Sequence, residues 1–496
     1  MRGCLIGLVL IGCGGSSGGC GNGDKAKDRD SDTASGNSGE IRDELCSLNA
    51  KAKTVLNCTW STDDPGVGYV EYWLEGEEPQ RTPMGPEGTT HEVSVLGMRA
   101  GQTWKYRVFT DVGTEIMGDE REIETPIPPI IFPRNEVTQV TGESLAANGY
   151  ILTAVIKGNS SVPVIVDGEG RYVWWYEIPA GNLVVSTKLS MDGKSVLFAT
   201  YDIKWREDTG TIWRVSLDGK EEIQTNAFMG HHDFLEHDDA TYTYIGYDFR
   251  TYGNTYWSAD ALRRVEKGDL SEDGWTEEFN WFDDYPYADE PWIDDPFPDP
   301  IALGNADEEW THSNSLMVNG DGHYYLMSKF LDAILKIDPD DGSVIWQMGG
   351  RYSDFDLPSG PMWTGLSDHN QWSHAHMSDM RQGSLSMFDN NYYDLDGGEH
   401  SRAVEYTYDE DNLIVEEVWS YSEPAGGFSK LMGDVRKLDT TYLINWSSIG
   451  YVSEVNADKE IVWRMDLVDV HDDDDIKDAI VSRITLLDDL YDPTPR

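Results

Sequence analysis

Three histidine clusters hold the residues best suited to chemistry: His231-His232-Asp233, His312-Ser313-Asn314 and His374-Ala375-His376. Imidazole changes charge near neutral pH, so a ring of such groups serves three kinds of chemistry. Neutral rings joined by a carboxylate, here Asp233 or Asp379, suit a divalent metal. One ring acting as a base toward water gives a hydrolase. One ring attacking as a nucleophile, with oxyanion-binding groups around it, gives transfer through a covalent intermediate. No cysteine occurs from 59 to 496, so a thiol nucleophile or zinc–thiolate centre is excluded there.

The clusters are far apart in sequence and need a repeating scaffold to meet. From about residue 146 a unit of roughly 50–70 residues recurs. Its closing hairpins pair an Asp or Asn turn with a tryptophan: Val166-Asp167-Gly168 to Trp175, Trp213 before Leu217-Asp218-Gly219, Ile337-Asp338 to Trp346, Tyr408-Asp409 to Trp419, and Val455-Asn456-Ala457-Asp458 to Trp463. A more divergent copy runs from Leu262 to Trp281. Six copies without helical periodicity predict an all-β fold, a six-bladed β-propeller. Each histidine cluster opens a repeat. First strands line the central channel of a propeller, so the three clusters should face one another at one mouth. The segment Ile484-Thr485-Leu486-Leu487 reads equally as a strand completing a blade or as a short helix.

Within this frame three motifs stand in order. They are Gly230-His231-His232-Asp233-Phe234, then Trp310-Thr311-His312-Ser313-Asn314-Ser315 running on through Ser328-Lys329 to Trp346, and then His374-Ala375-His376 leading to Phe388-Asp389-Asn390. Through them residues 146–470 resemble the bacterial arylsulfate sulfotransferases, which move a sulfuryl group from one phenol to another without a nucleotide sulfate donor. The resemblance implies a six-bladed propeller, a site in its channel, no cofactor, an aryl sulfate donor, a phenolic acceptor, and a sulfurylated histidine on the blade beginning near His374. The family's spacing from nucleophile to turn glycine falls between those of His374 and His376 to Gly383. His376 is favoured because it adjoins its strand, and His374 stands second. Lys329 aligns with the family's anion-binding arginine and keeps the charge without the planar two-pronged grip. His231, Asn314 and Arg436 are further candidates for substrate binding, and His232 or His312 for protonating the departing phenoxide.

Of 496 residues, 90 are Asp or Glu and 38 Lys or Arg, a net charge of −52 that argues against nucleic acid as partner. Such a charge opposes an anionic donor and raises histidine pKa values, so transfer requires a local positive pocket built from Lys329, Arg351 and Arg436. The segments Trp281 to Glu309 and Arg351 to Trp372 read as rim loops stacking on aromatic substrates or as plain surface excursions. The acidic runs Asp338 to Asp341 and Asp472 to Asp475 read as solvated turns, and no metal is assigned.

The expected organisation is a lipoprotein leader over 1–12, a lipidated disordered tether over 13–40, a β-sandwich over 41–127 and the propeller over 128–496. Leu10-Ile11-Gly12-Cys13 resembles a lipobox, making Cys13 the lipidated residue of an exported protein, and Gly14 after it points to the outer membrane, facing the periplasm or the cell surface. The sandwich resembles a fibronectin type III module, with Trp60 in its core and Trp104 at the corner position. Export makes a Cys46–Cys58 disulfide a candidate. The competing function class is a lipid-anchored propeller that binds a glycan, a peptide or a protein and catalyses nothing.

Overall fold

Short runs of β-branched and aromatic residues, punctuated by Gly, Asp and Asn turns, form strands throughout, and no α-helix occurs among the described residues. The computed structural model describes residues 40–202, 210–288, 291, 307–357, 372–391, 400–424, 426–468, 470, 472–473 and 476–494. The leader, Cys13, the tether up to 39, most of the two rim segments (289–290, 292–306 and 358–371) and Asp474–Asp475 lie outside them. No helix among the described residues is long and apolar enough to cross a membrane.

The N-terminal β-module has seven strands. Its long strand Leu56–Leu74 pairs with Arg42–Leu48 and Glu87–Val95 along its first half and with Thr103–Asp111 along its second. Trp60 is buried in this module's core and donates from Nε1 to Thr110 Oγ1 at 2.7 Å. Trp104 donates from Nε1 to the Arg99 carbonyl at 3.1 Å. Cys46 and Cys58 face each other across the first strand pair, Cα atoms 4.1 Å apart, and form a disulfide. The module is tied to the propeller by Thr54 Oγ1 donating to the Val173 carbonyl at 2.6 Å and by Leu96 N–H donating to Tyr491 Oη at 3.0 Å.

Six sheets of four or five strands, antiparallel except for the short parallel pairing of Glu308–Glu309 with Thr255–Glu266, follow and make a six-bladed propeller. The inner strands of blades two to six are Asn182–Leu189, Gly230–Glu236, Ser313–Val318, His376–Arg381 and Asp434–Lys437. Every closing hairpin expected from the sequence joins the third and fourth strands of a blade. At each of the six blade boundaries lies one buried apolar cluster, such as Leu235, Ile245 and Leu262 of blade three against Leu316, Leu326 and Leu335 of blade four. Each blade thus buries its faces mainly against its two neighbours, with Ala52, Val55 and Leu96 of the N-terminal module joining the cluster between blades one and two, and so the ring has to close.

Segments on both sides of the repeats close it. The strand Arg134–Val140, ahead of the first repeat, adds to the outside of blade six by pairing with Ile461–Val468. After the last repeat, Ala479–Val481 and Thr485–Leu487 pair with Tyr150–Lys157 and supply the inner edge of blade one. The segment left open as strand or helix is therefore a strand.

Candidate active site

The starts of three consecutive inner strands share a local distortion. A register shift interrupts pairing between Gly230 and Phe234, between Ser313 and Ser315, and between His376 and Asp379. Beside these irregularities His232, His312 and His374 adopt left-handed backbone, with φ of 53°, 46° and 52°. Each such residue costs about 1–3 kcal/mol and persists only where packing enforces it. Bulged strand starts re-aim side chains. Here they bring the histidines together: the His232 and His312 rings stand 4.9 Å apart, and Phe330 lies between His312, at 4.9 Å, and His374, at 5.8 Å.

Lys329 sits in the turn of blade four that faces this mouth, 5 % exposed, its Nζ 5.0 Å from the Phe330 ring centre and its N–H on the His312 carbonyl at 3.2 Å. It is inside the channel mouth. Its charge reaches His376 and His232. Burial first, then Lys329 and the neighbouring histidines, holds the His376 imidazole well below its ordinary value of 6.5, against an opposing hydrogen bond from Asn390. His232 is likewise held well below, by burial and then by His312, His231, His376 and Lys329. The expectation that the overall negative charge would keep these rings protonated is corrected: local desolvation and a buried cation outweigh distant, screened carboxylates.

Hydrogen bonds assign the tautomer of His376. Asn390 Nδ2 donates to the Ser429 carbonyl at 2.7 Å and to the Met432 carbonyl at 2.9 Å, so its Oδ1 is the atom turned to His376 Nδ1 at 2.7 Å. An amide oxygen only accepts, so Nδ1 carries the proton and the lone pair of the neutral ring lies on Nε2. Gly433 permits the approach of the Met432 carbonyl: its φ is +110°, and a Cβ there would lie 2.1 Å from the Phe388 ring. His374 is held through its backbone, its N–H donating to Asp332 Oδ1 at 2.7 Å.

A second network supports His232. Its Nδ1 is 2.8 Å from Nδ1 of His231, whose ring stacks on Tyr247 at 3.8 Å and whose Nε2 lies 3.0 Å from Asp260 Oδ1. Asp260 also accepts from Thr311 Oγ1 at 2.6 Å and from Ser313 N–H. Burial pushes the Asp260 carboxyl up, but His231, Thr311 and Ser313 together keep it below the usual range. His312 is anchored by its Nδ1 on Glu309 Oε1 at 2.9 Å. Asn314 turns its Nδ2 to the Ala375 carbonyl at 2.9 Å, binding blade four to blade five rather than pointing a donor at the histidines.

Two expected residues are elsewhere. Arg436 lies deeper, on the inner strand of blade six, paired with Asp434 at 3.1 Å and donating to the Ile484 carbonyl at 3.1 Å. Arg351 is exposed on the loop after blade four. Sequence spacing could not see this, because depth along the channel depends on where in an inner strand a residue falls. The carboxylates of the metal reading are taken by cations: Asp233 Oδ1 by Lys188 at 2.8 Å and its Oδ2 by Arg483, and Asp379 by Arg381 at 3.0 Å. Among the described residues no group of three or more His, Cys, Asp or Glu is arranged to hold a metal. Sequence reasoning misses Asp260, Tyr247, Glu309 and Asn390 as site residues. Asn390 alone carries a signal, its place in the third motif.

The chain is thus a six-bladed propeller whose inner-strand starts gather buried histidines and a buried lysine at one channel mouth. The profile of the family Arylsulfotransferase (ASST) matches residues 135–479, and the chain belongs to that family. Membership places it with the sulfotransferases, a class using aryl sulfate donors and phenol acceptors. A search of curated proteins finds no relative. Solved structures similar to it include a protein of unknown function from Bacteroides caccae (12% identity, 66% of this chain and 93% of that one, TM-score 0.34). Another is the periplasmic gluconolactonase PpgL of Pseudomonas aeruginosa (11% identity, 85% and 99%, TM-score 0.36). A catalytically inactive virginiamycin B lyase from Staphylococcus aureus with quinupristin is a third (10% identity, 70% and 99%, TM-score 0.34). At such scores none of them bears on what this chain does.

Proposed function

We propose that the protein moves a sulfuryl group from an aryl sulfate to a phenol through a sulfurylated His376. The single observation that carries the choice of nucleophile is the 2.7 Å contact between His376 Nδ1 and an Asn390 oxygen whose orientation is locked. In this reading the Nε2 lone pair attacks sulfur and forms an N–S bond as the S–O bond to the aryl group breaks. Lys329 balances the charge on the sulfonate oxygens. The departing phenoxide takes a proton from the protonated form of His312, whose Nδ1 rests against the Glu309 carboxylate. An incoming phenol returns a proton to the same base as its oxygen attacks sulfur, and the N–S bond breaks. The depressed basicity of His376 keeps it neutral, hence nucleophilic, at neutral pH. Phe330, between two of the histidines, offers a face for the aryl ring.

The test is incubation of the full chain with a chromogenic aryl sulfate and excess phenol. Phenol-dependent release in the wild type, lost by about a thousandfold or more in His376→Ala and retained in part in His374→Ala, is the expected result. Absence of turnover across several aryl sulfates favours a binding module for a glycan, peptide or protein. The reverse ranking of the two variants moves the nucleophile to His374.

Export and anchoring belong to the same proposal: a lipoprotein held through Cys13 at the outer membrane, with a fibronectin III-like module between anchor and propeller. The Leu10-Ile11-Gly12-Cys13 motif and a disulfide suited to an oxidising compartment support it. Cys13→Ser should move the protein out of the membrane fraction.

A further inference from the structure

We propose that the channel mouth opposite the histidines is a second binding site, for a small organic anion with an apolar body and one oxyanion head. The site lies at the far ends of the same inner strands. From His376 at the start of its strand to Arg381 at its end is five residues, roughly 16 Å at the usual rise per residue.

There the channel opens into a cavity of about 290 Å³ lined by the cations Lys188, Arg381, Arg436 and Arg483. Its apolar lining includes Leu235, Leu316 and Val318. The carboxylate partners of the four cations are Asp233, Asp379 and Asp434. Four cations against three carboxylates leave one positive charge uncompensated, in a chain whose net charge is −52. Concentrating cations in one concave place in so acidic a protein costs solvation of each buried charge, and an anion there offsets that cost. Arg483 adds an independent sign. It is 3 % exposed, and its Nε–H finds no hydrogen-bond acceptor among the described residues. A buried donor left in this state is unfavourable unless something accepts from it.

The chemistry of the lining selects the ligand. Guanidinium groups match the paired oxygens of a sulfonate, sulfate or carboxylate. The leucine and valine side chains need an apolar body to cover them, and the volume is that of a small ligand. Arg381 keeps 52 % of its side chain exposed, so the cavity is reachable from solvent. Between this site and the histidines stands a floor made by Asp233, with Lys188 and Arg483 on its oxygens and Arg483 Nη2 donating to the Asn314 carbonyl at 2.8 Å. A ligand here therefore occupies a site separate from the transfer site, and the inference holds whether or not transfer does.

The probe is 4-bromobenzenesulfonate, whose C–S bond prevents sulfuryl transfer, titrated calorimetrically into the full chain. Two sites per chain are expected. Arg381→Gln, at an exposed position that tolerates change, should weaken one of them by roughly ten- to a hundredfold, as loss of a charged hydrogen bond does. Lys329→Gln should weaken only the other. The bromine signal in a co-crystal should appear at the far mouth, and a parallel titration with 4-bromobenzoate assigns the preferred head group by the relative affinity at the Arg381-dependent site. Binding at one site only, lost in Lys329→Gln and untouched by Arg381→Gln, overturns the proposal, as does bromine solely at the histidine end. If the transfer reading is the one that fails, Lys329→Gln changes nothing and the Arg381-dependent site remains.

Discussion

Proton placement at His376 rests on an asparagine rather than a carboxylate. A carboxylate beside Nδ1 would favour the imidazolium, whereas a neutral amide oxygen directs the proton without adding charge. Replacing Asn390 by Leu should therefore lower kcat by about a hundredfold with little change in KM, because the ring loses its direction while the sulfonate partners remain. Lys329 has an effect of opposite kind. Its charge lowers the His376 pKa, so Lys329→Met raises it, and protonation begins at higher pH. The acidic limb of the rate profile should move upward in pH in this variant, measured by the rate of sulfuryl transfer to His376 in single-turnover experiments. The histidines are legible from sequence because they repeat in register. Asp260 and Tyr247 are not, since they fall on the most divergent repeat and reach the site only through the pairing of strands.

Elements carry the site through their irregular starts. The inner strands of blades three to five each break register where the histidines stand, and the breaks are stitched between blades. Asp260, on the third strand of blade three, accepts from Thr311 and Ser313 at the entry to blade four, and so fastens one histidine-bearing segment to the next. Asp260→Asn should destabilise the protein by about 2 kcal/mol in urea unfolding, the usual cost of leaving a buried donor without its acceptor. It should also slow transfer by loosening His231 beneath His232. The hairpins and their tryptophans are readable because turn chemistry is local. Bulges are not, because an extra residue in a strand shows only against its partner; nor is depth along an inner strand, and so Arg436 is expected near the histidines although it lines the cavity at the other end.

At the scale of the molecule, a ring of blades has no stable open form. Each blade boundary buries an apolar cluster, and the boundary of blades six and one, with Val164 and Trp175 against Leu443 and Trp463, exists only when the ring is shut. Deleting residues from 479 onward removes the inner edge of blade one together with Arg483. Such a chain should show no cooperative thermal transition of the propeller, read by calorimetry and near-ultraviolet circular dichroism. Repeat counting reveals six blades but not the fastening, because the strand Arg134–Val140 pairs with a partner more than three hundred residues away and carries no repeat signature of its own.

That fastening sets an order of events in time. The inner edge of the first blade is synthesised after every other strand of the propeller, so a nascent chain cannot finish the ring until that edge has left the ribosome, however long the pause after the sixth blade. The open faces of blades six and one wait for the strands Ala479–Val481 and Thr485–Leu487. Until those residues follow, the blades cannot close, and the two channel mouths are acquired together in a single closing step.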